Sequence, residues 1–408
     1  MKSKVYYFIA RTQSHKDSMS KVKGPLSLEK IGIKGKVKNN DKIVIKTHFG
    51  ALENERYLRP SYIRFLCDYI KEIGGDPYVA ESCGWGLPEE ISGVHTEYSG
   101  RCNEQEYLNV AMQHGFTHET MGAPIIMLDG PDGIDIIKQP VAGKRFKEVL
   151  VAGRLREFDY LVMASHFKGH IGTGFGGAIK NLGIGCVSKG GKTQAHMGKE
   201  FNYNFDKCVA ECSKCIDLCP SGALTKDKNK LNKDWEKCCY CYMCQSICEN
   251  KVITFDNSTS EDLITQAVDS AKAVVDYFGK DKIFYINFAI DITWRCDCGP
   301  SDLPIVPDIG ILSSLDPVAL DQACIDLIHK SPMVHSSVLS EIKNFPNKNT
   351  SEWFSYIPRI NNETNKLDYN IDGKINKTWD LQLQLAEEIG LGSRDYTLIN
   401  VEIDVDKK

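Results

Sequence analysis

The chain has 408 residues, 42% hydrophobic and 25% charged, values of an ordinary globular protein long enough for two or three domains. Its formal net charge of −4 offers no basic stripe, which argues against nucleic acid as a partner. The opening MKSKVYYFIARTQS carries an apolar run too short for a signal-peptide core, and no later stretch reaches membrane-spanning length, so a cytoplasmic protein without a membrane partner is expected. In that reducing compartment sixteen cysteines imply metal ligation before disulfides.

In chain order, DKIVIKTHFG reads as a buried strand ending in a glycine turn. PSYIRFLCDYIKEIGG places Ile63, Leu66, Ile70 and Ile73 on one helical face, with Pro60 near the start and Gly74 at the end. DPYVAESCG is the next strand, NEQEYLNVAMQHG a helix capped by Asn103, and APIIMLD and FDYLVMASHF further strands. Beyond a cysteine-rich stretch, SEDLITQAVDSAKAVVDYFG aligns Leu263, Ala267, Ala271, Val274 and Phe278 in one stripe. DKIFYINFAIDIT follows as a strand, and LDPVALDQACIDLI as a helix capped by Asp316 with Pro317 at its first position. The alternation predicts an α/β fold with a mostly parallel sheet. That domain is discontinuous, residues 1–200 and 257–330, and an α+β insert over 201–256 interrupts it. Residues 331–408 read as a C-terminal extension packed on the body, ending in a helix, WDLQLQLAEEIGLG, and a strand, DYTLINVEID.

Nine of the sixteen cysteines fall between Cys208 and Cys248. Cys208, Cys212, Cys215 and Cys219 precede Pro220, and Cys238, Cys241, Cys244 and Cys248 have C-x2-C-x2-C-x3-C spacing. Two-residue loops let three thiolates wrap one face of a cubane; paired C-x2-C runs also suit zinc, though two interlocked four-cysteine runs with a C-x3-C-P end fit it poorly. The segment resembles the bacterial two-cluster ferredoxin, in which each run lends its fourth cysteine to the other cluster. The resemblance implies two [4Fe–4S] clusters, one on Cys208, Cys212, Cys215 and Cys248, the other on Cys238, Cys241, Cys244 and Cys219. Three residues, not two, separate Cys208 from Cys212, Glu249 stands in place of a proline, and Cys239 is surplus and reads as a bystander.

Ligands of open parallel sheets bind beyond the carboxyl ends of the strands. The strands here end in Thr47–His48, Glu81–Ser82–Cys83, Ser165–His166 and Asp291, with Cys296 and Cys298 soon after, so a ligand-lined cleft is expected. Cys296 and Cys298 read either as a metal or redox pair or as buried thiols; Cys67 and Cys324 read as core. In SHFKGHIGTGFGGAIKNLGIGC, Gly172, Gly174 and Gly177 fit G-x-G-x-x-G, but no acidic residue ends a second strand about twenty residues on, which excludes a nicotinamide site. Its glycines are expected to bring backbone amides against a ligand that His166, His170 and Lys180 surround.

His170, Lys180 and His196 are similar in order and spacing to residues of the lactate racemase superfamily, and Arg59–Pro60 to its substrate loop. The resemblance implies a ligand or metal site that includes His196. Over roughly residues 40–330, KTHFGALENERYLRP, the glycine stretch and CDCGPSDLPIVPDIGILSSLDPVALDQA resemble the uncharacterised family numbered 362 among domains of unknown function, whose members often carry an embedded two-cluster ferredoxin. The first functional expectation is an iron–sulfur oxidoreductase or electron-transfer protein that an external ferredoxin or flavodoxin reduces. It would pass single electrons to a small-molecule substrate, or to a further metal or cofactor, in the cleft. The alternatives are a non-redox metal-dependent enzyme resembling the racemases, and a pure carrier or metallocentre-assembly partner.

Overall fold

A computed structural model describes residues 2–93, 95, 99–197, 202–227, 230–254, 258–342, 352–361, 366–368 and 375–405. Eight strands form the central sheet: β1 (Ser3–Ile9), β2 (Lys42–Lys46), β3 (Asp76–Glu81), β4 (Ile125–Met127), β5 (Tyr160–His166), β6 (Ile283–Ala289), β7 (Gly310–Ser314) and β8 (Tyr396–Asn400). Their order is β8-β1-β7-β6-β5-β2-β3-β4. Every adjacent pair is parallel except the two that β7 makes, with β1 and with β6.

The inner strands are mainly apolar because both of their faces are covered, with polar residues mostly toward their ends. Along β5, Leu161 and Met163 enter one core while Val162 and Ala164 enter the other, the two-residue alternation of a pleated strand. The first core packs under helices α2 (Ala178–Gly185), α4 (Ser260–Phe278), α5 (Pro317–Lys330) and α6 (Thr378–Glu388), through Leu182, Val268, Val274, Ala323 and Leu383. The second takes Ile63, Leu66 and Ile70 of α1 (Pro60–Glu72). Each such side chain, fully buried, contributes about 1.5–3 kcal/mol.

Local signals set the helix ends. Pro60 and Pro317 occupy first-turn positions, and Asp316 accepts from the amides of Val318 and Ala319 at 2.9 and 3.0 Å. Asn103 accepts from Glu106 N, and Thr259 forms a capping box with Asp262.

Two features go beyond the sequence reading. The N-terminal apolar run is a strand inside the sheet, and the expected C-terminal strand, β8, pairs with it in parallel, Val5 opposite Leu398. Neither partner is near the other in sequence, so no local pattern announces the pair.

The expected limits of the insert, Phe201 and Asp256, lie outside the described residues. Within them Asn202–Tyr203 pairs antiparallel with Ile253–Thr254, so the chain leaves and re-enters at one place. Leu224–Asp227 pairs with Lys230–Lys233, short helices span Lys214–Asp217 and Met243–Ser246, and Leu224, Leu231, Val252 and Ile253 form a small separate core. After it the chain returns to the same sheet: β6 pairs with β5, Ile286 opposite Ala164. Among the described residues, no helix is long and apolar enough to cross a membrane.

Candidate functional site at the sheet rim

Beneath the carboxyl ends of β2 and β3 lies a buried charge network. Lys46 Nζ meets Glu81 Oε1 at 2.6 Å and donates to Asn181 Oδ1 at 3.0 Å. Burial alone would raise the Glu81 carboxyl, but Lys46, His48 and Lys192 outweigh it and lower its pKa. Lys192, on α3 (Lys189–Met197), donates to Ser82 O, Ser82 Oγ and Cys83 O at 2.6–2.7 Å, and burial lowers its pKa. Asp129 accepts from the amides of Cys83 and Lys189 and is raised by burial. This network ties β3 to α3. Sequence reading noted Glu81 but passed over Lys46, Asp129 and Lys192; a lysine closing the apolar run IVIK was the available signal.

A turn after β6 carries Cys296, Asp297 and Cys298. His166 Nδ1 approaches Asp297 Oδ2 at 3.0 Å, Lys168 Nζ donates to the same oxygen at 2.7 Å, and the Ala51 amide donates to Asp297 O at 2.8 Å. Burial opposes the Asp297 charge, but His166 and Lys168 prevail and its carboxyl is held well below the usual range. His166 was expected to face a ligand. Its Nε2 instead meets Ile290 O at 2.7 Å, so both ring nitrogens are engaged and the ring clamps the turn. Lys168 and Asp297 were missed, although Asp297 stands between two singled-out cysteines.

The turn presents its thiols to the rim. His48 Nδ1 accepts from Gly50 N at 2.8 Å, which leaves the proton on Nε2, 3.5 Å from Cys298 Sγ. A hydrogen bond from Cys296 lowers the Cys298 thiol well below its ordinary value; burial opposes this, and His48 and the buried Arg101 add to it. Cys298 and His48 are partly exposed, while Cys296 is buried.

His170, Lys180 and His196 converge beside this pair: Lys180, Cys298 and His196 all bear electrostatically on His170, and burial and then Lys180 push its pKa well down. His170 Nδ1 accepts from the amides of Gly172 and Thr173 at 3.1 and 3.0 Å, so its proton sits on Nε2. His196 has the opposite tautomer, donating from Nδ1 to Lys192 O at 2.8 Å, and burial lowers its pKa to about 4. Its ring meets Trp85 edge-on at 4.2 Å. A cavity of about 260 Å³ adjoins it, lined by Trp85, Cys102 and Thr193 of the rim and by Tyr242 and Ser246 of the insert.

The glycines do other work than expected. A Cβ at Gly174 (φ 81°) would lie 2.4 Å from Trp379 N, and one at Gly177 would lie 2.4 Å from Asp321 Oδ1 and 2.7 Å from the Phe167 ring. At Gly172 it would meet Leu263 at 2.7 Å. Protein therefore fills the space these residues leave, and their smallness serves packing. The N-terminus of α2 is likewise taken: Asp321 accepts from Ala178 N and Ile179 N at 2.8 and 2.9 Å. Arg59, expected in a substrate loop, pairs with Asp291, as does Arg56 at 3.3 Å.

In the insert, the thiols gather across the two runs. Burial raises the Cys215 thiol, and Cys248, Cys208 and Cys212 are close enough to raise it further. Burial raises the Cys244 thiol to about 12, with Cys238, Cys215 and Cys219 among its neighbours. The fourth cysteine of each run accepts an amide hydrogen bond from four residues on: Ala223 N to Cys219 at 3.3 Å and Val252 N to Cys248 at 3.4 Å. Cys219, Cys238, Cys239, Cys241 and Cys244 line one cavity. Among the described residues, no three of His, Cys, Asp and Glu are arranged to hold a single metal ion.

A mostly parallel α/β sheet with a polar carboxyl rim is thus the class of protein. The chain belongs to the family described as "Domain of unknown function (DUF362)", which matches residues 43–326. No curated protein matches it. Among solved structures it is similar to the lactate racemase apoprotein from Thermoanaerobacterium thermosaccharolyticum, with 13% identity and a TM-score of 0.34 over 71% of this chain and 51% of that one. A protein from Thermotoga maritima has 11% identity and a TM-score of 0.32 over 65% and 50%. The chain spans about half the length of these structures.

Proposed function

We propose that the protein is an iron–sulfur oxidoreductase or electron-transfer protein. Its insert holds two [4Fe–4S] clusters, and His170, Lys180 and His196 bind a small anionic substrate or cofactor at the rim. The observation that carries this reading is the crosswise gathering of thiols: Cys208, Cys212 and Cys248 bear on Cys215, and Cys238, Cys215 and Cys219 bear on Cys244, so each run reaches the other. Two interlocked runs of four cysteines with tight two-residue loops suit a pair of cubanes better than tetrahedral zinc sites. Cys208, Cys212, Cys215 and Cys248 would hold one cluster and Cys219, Cys238, Cys241 and Cys244 the other; bound there, the clusters supply single electrons. Amides aimed at Cys219 and Cys248 would stabilise the thiolates. A small external ferredoxin or flavodoxin is the matching donor.

Iron and sulfide analysis of protein purified without oxygen tests the reading, with electron paramagnetic resonance after reduction. About eight irons and eight sulfides per chain are expected. Stoichiometric zinc with little iron would overturn it.

A further inference from the structure

We propose that Cys296 and Cys298 form a redox-active thiol pair that exchanges with an anionic small-molecule disulfide, Cys298 attacking and Cys296 resolving. The inference rests on the proposed function only for the electrons that restore the reduced pair.

Geometry distinguishes this pair from the other cysteines of the α/β body. Cys67 and Cys186 are fully buried, and burial raises both thiols to about 12, which makes them inert. Cys324 is buried and raised in the same way. Cys298 instead reaches the rim beside a donor, the Nε2–H of His48 at 3.5 Å, with the guanidinium of Arg101 nearby. Its neighbour Cys296 lies beneath it, 8% exposed, close enough for the two thiols to hydrogen-bond. An attacker at the surface and a resolver below is the arrangement that thiol–disulfide exchange requires. The turn holding them is anchored at Asp297 by His166 and Lys168, so the pair is preorganised.

The charge around the pair selects the substrate class. Lys180 acts electrostatically on Cys296, His170 and His196, and has no carboxylate partner among the described residues. With the Nε2–H of His170, it offers a cation and a donor to a negatively charged group beside the thiols. The step balances. The Cys298 thiolate attacks one sulfur of the disulfide, forms a mixed disulfide and expels the first substrate thiolate, which takes a proton. The Cys296 thiol loses its proton and attacks Cys298 Sγ, forming the Cys296–Cys298 disulfide and releasing the second thiolate. Two electrons, delivered in two single steps by an iron–sulfur donor or together by an external dithiol, with two protons from solvent or the dithiol, return the pair to its thiols.

The test uses the full chain under argon, with glutathione disulfide as the anionic probe and bis(2-hydroxyethyl) disulfide as the neutral one, and peptide mass spectrometry as readout. Wild-type protein should form the Cys296–Cys298 disulfide, and Cys296→Ser should stop at a glutathione adduct on Cys298. Cys298→Ser should show neither. Attack by Cys298 on the disulfide should run about ten-fold faster than attack by the same residue in denatured protein. Glutathione disulfide should react faster than the neutral probe, and Lys180→Met should remove that preference. Absence of the Cys298 adduct, or reaction at the denatured rate, overturns the thiol pair. A preference that survives Lys180→Met overturns the anionic assignment. Iron content of the same samples is measured separately, so failure here is distinguishable from failure of the cluster reading.

Discussion

Asp297 separates two kinds of residue importance. It touches neither thiol in a chemical role, yet it holds the backbone between them against the His166 ring and the Lys168 ammonium. Asp297→Asn should lower the melting temperature by the equivalent of about 3–5 kcal/mol, because breaking a buried pair leaves charge uncompensated. It should also slow thiol exchange while leaving iron content unchanged, a combination that thermal denaturation and alkylation rates can check. Cys239 poses a second residue-level question. It hydrogen-bonds Cys241, which lowers its thiol to about 6, and it lines the same cavity as the expected ligands. Spacing assigns ligation to Cys241, so Cys241→Ser should halve the iron and Cys239→Ser should keep it; iron loss in Cys239→Ser alone would reverse the roles. These residues were legible in part. The C-x-C pair and the eight spaced cysteines stand out in one dimension, whereas Lys46, Lys168 and Lys192 do not, because a buried lysine is defined by the oxygens around it.

At the scale of elements, the glycine stretch is a packing device. Gly183 lets α2 lie against α4, since a Cβ there would come within 1.9 Å of Ala267 O. Gly183→Ala should therefore force the helices apart and cost about 1–3 kcal/mol, read as a lower denaturation midpoint. An unchanged midpoint would mean that the helices yield freely. Helix positions were well marked in the sequence, through proline at first turns and the caps Asn103 and Asp316. Strand partners were not, because β1 and β8 meet across almost the whole chain. Deleting residues from 396 onward should uncover the edge of β1 and promote aggregation, detectable by light scattering.

Over the whole molecule, pH acts through neutral buried histidines. Burial lowers His196 and His329 to about 4 and His170 well below its ordinary value. The unfolded chain protonates these rings near pH 6.5, whereas the folded chain protonates His196 and His329 only near pH 4 and His170 well below its ordinary range. Between those values the unfolded state binds more protons, so stability falls as pH falls, by about 1.4 kcal/mol per pH unit for each histidine. Melting temperature should drop from pH 7 to pH 5, and His329→Gln should flatten that dependence. A flat profile in the wild type would contradict the burial of these rings.

Composition, periodicity and capping residues determined a mostly parallel α/β body, and cysteine spacing alone marked out a distinct cysteine-rich segment within it. Both are local or repeating signals that a linear chain displays directly. The tertiary structure decided the rest: that His166 clamps a turn, that Gly172, Gly174 and Gly177 admit protein, and that His48, far away in the chain, meets Cys298. The physical reason is that a side chain's role depends on which oxygen, amide or ring lies across from it. In a parallel sheet those neighbours arrive from strands and loops separated by hundreds of residues.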